Sequence, residues 1–239
     1  MFHYMMMPWE RHSDGGLGAT GEAFEEAADQ LLDSTVRTKV INVHLPAGFL
    51  YRHAIELFLK SMIVVLHRSL SLPYGTIPAS GAPHVLSGGQ WVRLDTIHSV
   101  LKLWSYYRKI VGEQAEQLNA KCRTDWVSIP EALERRIHEI DTADTTSTYF
   151  RYPELKRARS EEKKSSWQNA DPGKLSEKLK KSAGPPVKAF MILGPSDEIL
   201  DAFEYDDSTL NDLIDKLAET AHELSGCHSG LRVELAGGF

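Results

Sequence analysis

Long apolar runs are missing from this 239-residue chain. No uninterrupted stretch approaches the ~18 residues a membrane-spanning helix needs, so no membrane partner is expected. Cysteine is almost absent: Cys122 and Cys227 are the whole complement. Two thiols this far apart build neither a disulfide framework nor a zinc knuckle, and they read as free thiols in a reducing, cytoplasmic setting. The opening Met1–Arg11 lacks the basic and apolar regions of a signal peptide. Met5, Met6 and Met7 leave the translation start open alongside Met1. The ten histidines stand singly, with no H-x-x-x-H or C-x-x-C pair, so neither metal nor cofactor is expected. There is no G-x-S-x-G nucleophile elbow. There is also no G-x-x-x-x-G-K-[ST] loop, so Leu86-Ser87-Gly88-Gly89-Gln90, which spells the signature peptide of ABC-type ATPases, reads as a Gly-Gly turn.

What is present is ordinary globular material: 42% hydrophobic and 25% charged residues. A chain of this length buries roughly 70–75% of its unfolded surface and needs no cross-link to fold. The net charge of −6 is unevenly spread. From Glu154 to Pro186 nine Lys/Arg face five Asp/Glu, a local +4 that leaves −10 on the remainder. Such a segment either contacts phosphates or is a solvated loop.

Residues 1–19 carry no period and read as a flexible N-terminal arm. Phe24, Ala27, Ala28, Leu31 and Leu32 then recur at helical spacing, predicting a helix at about 21–37. Pro46 opens a second, running to Arg68 and apolar around most of its circumference, hence central and buried. Residues 69–92 read as a loop with room for a short hairpin. Asp95 or Thr96 caps a helix carrying Val100, Leu101, Trp104, Tyr107 and Val111, fading near Cys122. Ser128-Ile129-Pro130-Glu131 opens another, at whose end Asp141 and Asp144 read as solvated or capping carboxylates. Thr145–Pro153 reads as extended chain. Val187–Leu193 and Glu198–Tyr205 are strand-like around the turn at Gly194-Pro195-Ser196-Asp197. A final helix follows Asp206-Asp207-Ser208, with Gly226 placed to end it. The fold class is mainly α: a bundle of four or five helices with a small β-hairpin and long loop insertions, in one domain over 20–239 with a basic loop at about 154–186.

Within the apolar Pro46–Arg68 helix, His53, Glu56, Lys60 and His67 fall at spacings of 3, 4 and 7, with Arg52 beside them. This polar stripe is either a self-satisfying structural network, with Arg151 and Tyr152 as further partners, or the floor of a pocket or dimer seam. The phrase Tyr51-Arg52-His53-Ala54-Ile55-Glu56-Leu57-Phe58-Leu59-Lys60-Ser61 resembles the leading helix of HEPN-like domains (higher eukaryote and prokaryote nucleotide-binding), many of which carry an A-I-E-L-x-L-K-A pattern. His98-Ser99-Val100-Leu101-Lys102-Leu103-Trp104 is similar to the family's H-D-L-x-x-L segment. Phe150-Arg151-Tyr152-Pro153 resembles an F-R-Y-P segment of a bacterial subset. The resemblance covers about residues 46–153.

It implies a small helical bundle that dimerises and, in the active branch, metal-independent RNA cleavage through an R-x(4–6)-H motif. Arg93-Leu94-Asp95-Thr96-Ile97-His98 has that spacing, although Leu94 stands where active members carry a polar residue, and the motif lies on a middle rather than a late helix. His98 at a helix start would be held neutral and able to accept a proton, and Arg93 or Arg52 would clamp phosphate oxygens. The plain alternative makes His98 a packing residue and Arg93 a surface one. Two functions stay open: a HEPN-like endoribonuclease or toxin-type effector in bacterial defence, contacting RNA through the basic segment, and a non-catalytic HEPN-like scaffold or sensor subunit acting as a homodimer or in a hetero-complex.

Overall fold

A helix of 27 residues, apolar on nearly every side, can only be stable inside other helices. In the computed structural model, which describes residues 2–33, 42–72, 84–145, 147–151, 164–180 and 188–238, that helix is α3, His44–Leu70. Ala54, Ile55, Phe58, Leu59, Met62, Ile63, Val65 and Leu66 are fully buried. It ends where Ser71 turns left-handed at φ 52° and its N–H closes on the His67 carbonyl.

Before it come α1 (Phe2–Met5), a 3-10 turn (Trp9–Arg11) and α2 (Leu17–Leu32). The expected free arm is instead part of the core: Tyr4, His12 and Asp14 are all buried. The missing period misled, because short helical turns tied down by polar side chains need no apolar repeat. After α3, β1 (His84–Ser87) and β2 (Gln90–Arg93) form an antiparallel hairpin turned by Gly88 and Gly89 at φ 58° and 81°. The Gly-Gly turn is thus built where an L side chain would be strained. A 3-10 turn, Leu94–Thr96, leads to α4 (Val100–Glu113), α5 (Ala115–Lys121) and α6 (Glu131–Ala143). The α4 cap is Ser99 rather than Asp95 or Thr96, its Oγ accepting from the Lys102 N–H at 3.2 Å. The expected extended chain at 145–153 is a series of turns at its described positions; Thr146, Tyr152 and Pro153 lie outside them.

Two compact units result: Met1–Arg151 with Ile214–Phe239, and Tyr152–Leu213. The second therefore extends beyond the basic segment expected at 154–186. Its described part contains β3 (Trp167–Asn169), α7 (Pro172–Lys180), β4 (Ala189–Leu193) and β5 (Ile199–Tyr205) in an antiparallel sheet of order β3-β5-β4. The β4–β5 hairpin has the expected pairing, with an irregularity between Ile192 and Leu193. The third strand, β3, is three residues long, too short for a period to reveal. Trp167, Phe190, Phe203 and Tyr205 pack as a ring cluster at centroid distances of 4.6–5.3 Å.

The last helix, α8, runs Ser208–Ala236, ten residues past Gly226. Gly226 ends nothing, because Cys227, His228 and Leu231 continue the packed face beyond it, His228 and Leu231 being fully buried. The protein is mainly helical with a small antiparallel sheet. Among the described residues no helix is long and apolar enough to cross a membrane.

Candidate functional site

Arg52, Glu56 and Lys60 succeed one another at four-residue steps, so one turn of α3 separates each charge from the next. All three side chains are almost fully enclosed, at 2%, 2% and 6% exposure. Lys60 Nζ donates to Glu56 Oε1 at 2.8 Å, and Arg52 Nη1 approaches Glu56 Oε2 at 3.5 Å. The buried Asp144 carboxylate adds a second acid 3.9 Å from Arg52 Nε. Two cations and two carboxylates thus offset one another in the interior. Burial alone would raise the Glu56 pKa, but Lys60, Arg52 and the hydrogen bond to His98 together hold it below the usual carboxylate value. Burial lowers that of Arg52 against the opposing pull of Glu56, Asp144 and Asp141.

The stripe holds the chain that crosses it. Arg52 Nη2 donates to the backbone carbonyl of His98, and Lys60 Nζ reaches that of Asp95 at 3.5 Å. His98 Nδ1 lies 3.0 Å from Glu56 Oε1. An ionised carboxylate can only accept, so Nδ1 carries a proton, and in the neutral form of the ring the lone pair is on Nε2. The His98 side chain is 51% exposed over a carboxylate that is 2% exposed. Next to it, Asp141 Oδ1 accepts from Ser99 Oγ at 3.0 Å and from the Leu101 N–H at 3.2 Å. A carboxylate on α6 therefore caps α4 and fixes the segment that carries His98. Asp144 accepts from the N–H groups of Thr148 and Tyr149 at 2.8 and 3.0 Å.

The other expected site residues lie elsewhere. Arg93, 60% exposed, is clasped by Asp95 through two bonds of 3.0 and 2.6 Å, one to each carboxylate oxygen. His98 precedes α4 by two residues and does not lie in its first turn. His53 leaves the charged stripe and stands between the rings of Phe24 and Phe49, at centroid distances of 4.6 and 5.9 Å; burial there lowers its pKa. Arg151 stacks over Phe49 at 5.2 Å. Tyr152 lies outside the described residues. His67, at the far end of α3, meets the Tyr106 hydroxyl at 2.9 Å, and burial pushes its pKa down to about 3. Sequence reasoning put His53, Glu56, Lys60 and His67 in one stripe with Arg52 beside it; the structure joins Arg52, Glu56 and Lys60 and takes both histidines out. That reasoning read Asp141 and Asp144 as solvated or capping carboxylates of their own helix end. It did not foresee that Asp141 caps α4 or that Asp144 approaches Arg52, because Ser99, Leu101 and Arg52 are tens of residues away.

A second buried cluster went unread because its members are remote in sequence. Ser61 Oγ donates to Asp14 Oδ2 at 2.5 Å and lies 2.8 Å from His228 Nδ1. Because Ser61 donates to Asp14, it can only accept from His228, so His228 is protonated at Nδ1; the Tyr4 hydroxyl lies 3.4 Å from both Asp14 Oδ2 and His228 Nε2. Asp14 also accepts from the N–H groups of Gly16 and Gly18. Ser61 and His228 are fully buried and Asp14 nearly so. A serine, a histidine and an aspartate meet here without access for a substrate, and the serine points its proton at the acid rather than at the imidazole. This cluster fastens the N-terminal segment to α3 and α8.

Among the described residues no group of three or more His, Cys, Asp or Glu is arranged to hold a metal ion. No family model, curated protein or solved structure matches the chain.

Proposed function

We propose that the chain is a HEPN-like, metal-independent endoribonuclease in which His98 transfers the proton and Glu56 positions it. The observation that supports this is the half-exposed imidazole held at Nδ1, 3.0 Å from a buried, ionised carboxylate, with Nε2 left free. Such a pairing fixes tautomer and ring orientation, the two requirements of a general base. The reaction would be transesterification. Nε2 takes the proton of a ribose 2′-hydroxyl, the 2′-oxygen attacks the adjacent phosphorus, and the bond to the 5′-oxygen breaks as that oxygen receives a proton. The products are a 2′,3′-cyclic phosphate and a 5′-hydroxyl. A second copy of the chain, bringing its own histidine to a shared cleft, would supply the acid. Arg52 is enclosed and acts through the His98 backbone, so phosphate contacts fall to Arg93, which must first release Asp95. Purified protein incubated with tRNA and total RNA, with and without EDTA, should cut in both conditions. His98→Ala should abolish cutting, and Glu56→Gln should lower kcat more than it raises KM. RNA left intact, or cut equally by His98→Ala, removes the proposal.

A second reading is a non-catalytic HEPN-like interaction module, a scaffold or sensor subunit. It is favoured by the Arg93–Asp95 clasp and the enclosure of Arg52 and Lys60, which leave the charges satisfying one another. This reading expects a stable dimer or hetero-complex without nuclease activity, and a strictly monomeric mass by light scattering with no co-purifying partner counts against it.

A further inference from the structure

The sheet of the second unit ends on one side in β4, whose five residues, Ala189-Phe190-Met191-Ile192-Leu193, are all apolar. Its backbone groups alternate in direction. One step before the Ala189–Glu204 pair, the Tyr205 N–H donates to the Lys188 carbonyl. Lys188, Phe190 and Ile192 therefore turn N–H and C=O toward β5, while Ala189, Met191 and Leu193 turn theirs away from the sheet. The irregularity near Leu193 is an extra residue on β5, Leu200, so β4 itself keeps its alternation. The six outward groups have no partner among the described residues. Natural edge strands are guarded by lysine, proline or an inward charge, and β4 has none within its span. Phe190, Ile192 and Leu193 are 44%, 43% and 54% exposed.

The side chains make this edge complementary to itself. Lys188, Phe190 and Ile192 share the face that carries the ring cluster, Lys188 Nζ lying 5.1 Å from the centre of the Tyr205 ring. Gly194, whose N–H donates to the Glu198 carbonyl, continues the alternation. It has no side chain, and the Glu198 carboxylate occupies the space a Cβ would take there, held by the Ser196 N–H at 2.8 Å. Along the edge the order is thus cation, phenyl, aliphatic, acid. An antiparallel copy reverses that order and meets each group with its complement.

We infer that β4 is a self-pairing edge: two copies of the chain join antiparallel through it, about a twofold axis at Met191. In that register Met191 exchanges two backbone hydrogen bonds with its counterpart, and Ala189 exchanges two with Leu193 of the second copy, at each end. All six outward groups of each strand are satisfied. Phe190 lies directly opposite Ile192 of the second copy, and Lys188 faces its Glu198 across Gly194. A foreign strand would satisfy the backbone, but a second copy also brings the acid to Lys188, twice. The inference rests on neither functional reading above, since His98, Glu56 and Arg93 belong to the other unit.

Sedimentation velocity on the full chain, from about 5 to 500 μM, tests it. The 26.8 kDa monomer should give way to a species of twice that mass as concentration rises. Met191→Pro removes the donor on the axis, and because that N–H makes no bond to β5 the ladder stays whole. It should weaken dimerisation at least tenfold. Lys188→Glu and Glu198→Lys each set like charges against each other, and each alone should dimerise about fivefold to tenfold more weakly at low salt. Mixed one to one, the two variants restore both ion pairs between unlike chains and should recover the native affinity, which keeps the test decisive if Met191→Pro does not fold. A chain that stays monomeric at the top concentration, a dimer that Met191→Pro leaves intact, or charge variants that pair no better mixed than alone overturns the assignment.

Discussion

Glu56 and His98 meet across the boundary of the protein: 3.0 Å separates Oε1 from Nδ1, and the carboxylate is enclosed while half of the imidazole is in solvent. Their contact carries a buried charge to the surface through one ring. The acid cannot be removed without stranding Arg52 and Lys60 in the interior. Glu56→Gln should therefore destabilise the protein by about 3–5 kcal/mol in urea unfolding. Replacing the whole stripe together (Arg52→Met, Glu56→Leu, Lys60→Met) leaves no buried cation unpaired and leaves Asp144 the N–H groups of Thr148 and Tyr149, so it should cost less than the single change. If the triple variant is the less stable of the two, the stripe is not a mutually compensating set.

The triple variant makes a second, separable prediction. With Arg52 and Lys60 gone, the carbonyls of His98 and Asp95 lose their donors. Amide exchange over residues 94–99 should quicken by tenfold or more while exchange in the middle of α3 stays slow. Unchanged protection over 94–99 means the segment is held by packing alone.

Acid should weaken the fold well above the carboxylate range. Burial pushes the His228 pKa down to about 4 against the opposing pull of Asp14, and pushes that of His67 down to about 3. An unfolded histidine titrates near its ordinary 6.5. Between those values the unfolded state binds more protons, so stability is fully present above pH 6.5 and is lost as pH falls toward 4. The contribution of His228 is on the order of 3 kcal/mol. A plot of unfolding free energy against pH should be flat from 7 to 8 and fall between 6.5 and 4, and His228→Gln should flatten part of that fall. A protein equally stable at pH 4.5 and 7.5 contradicts the buried neutral state of these rings.

Two glycines of similar chemistry should respond oppositely. A Cβ on Gly18 would lie 2.1 Å from His228 Cε1 and 2.8 Å from the Tyr4 hydroxyl, so Gly18→Ala should cost upwards of roughly 2 kcal/mol by overpacking. A Cβ on Gly226, exposed within α8, meets nothing within 4 Å. Gly226→Ala should gain about 0.5–1 kcal/mol, because alanine loses less backbone entropy in a helix. Thermal melts of the two variants check both signs.

The reach of the sequence follows from the range of the interactions. Elements defined by local repetition were legible: α3 by its all-round apolarity, α6 by Pro130 and the acids after it, the β4–β5 hairpin by the turn between its strands. The stripe was legible because Arg52, Glu56 and Lys60 are neighbours on one helix. What depends on distant pairs was not. Asp141 looked like the end of its own helix and caps another, and Asp14, Ser61 and His228 span almost the whole chain. Gly226 was misread because a helix stop is signalled by a left-handed residue, and a glycine also fits inside a helix whose packing outweighs its propensity.

Arg52 and Lys60 grip carbonyl oxygens, which every amino acid possesses. The anchor is thus indifferent to what stands at position 98, and that residue can be exchanged without unmooring the loop that displays it. Glu56 would then lose one donor and keep two. A chain built this way separates the holding of an exposed position from the identity of the group placed there. Substitution at this single site would change the chemistry displayed there and leave its two backbone anchors in place.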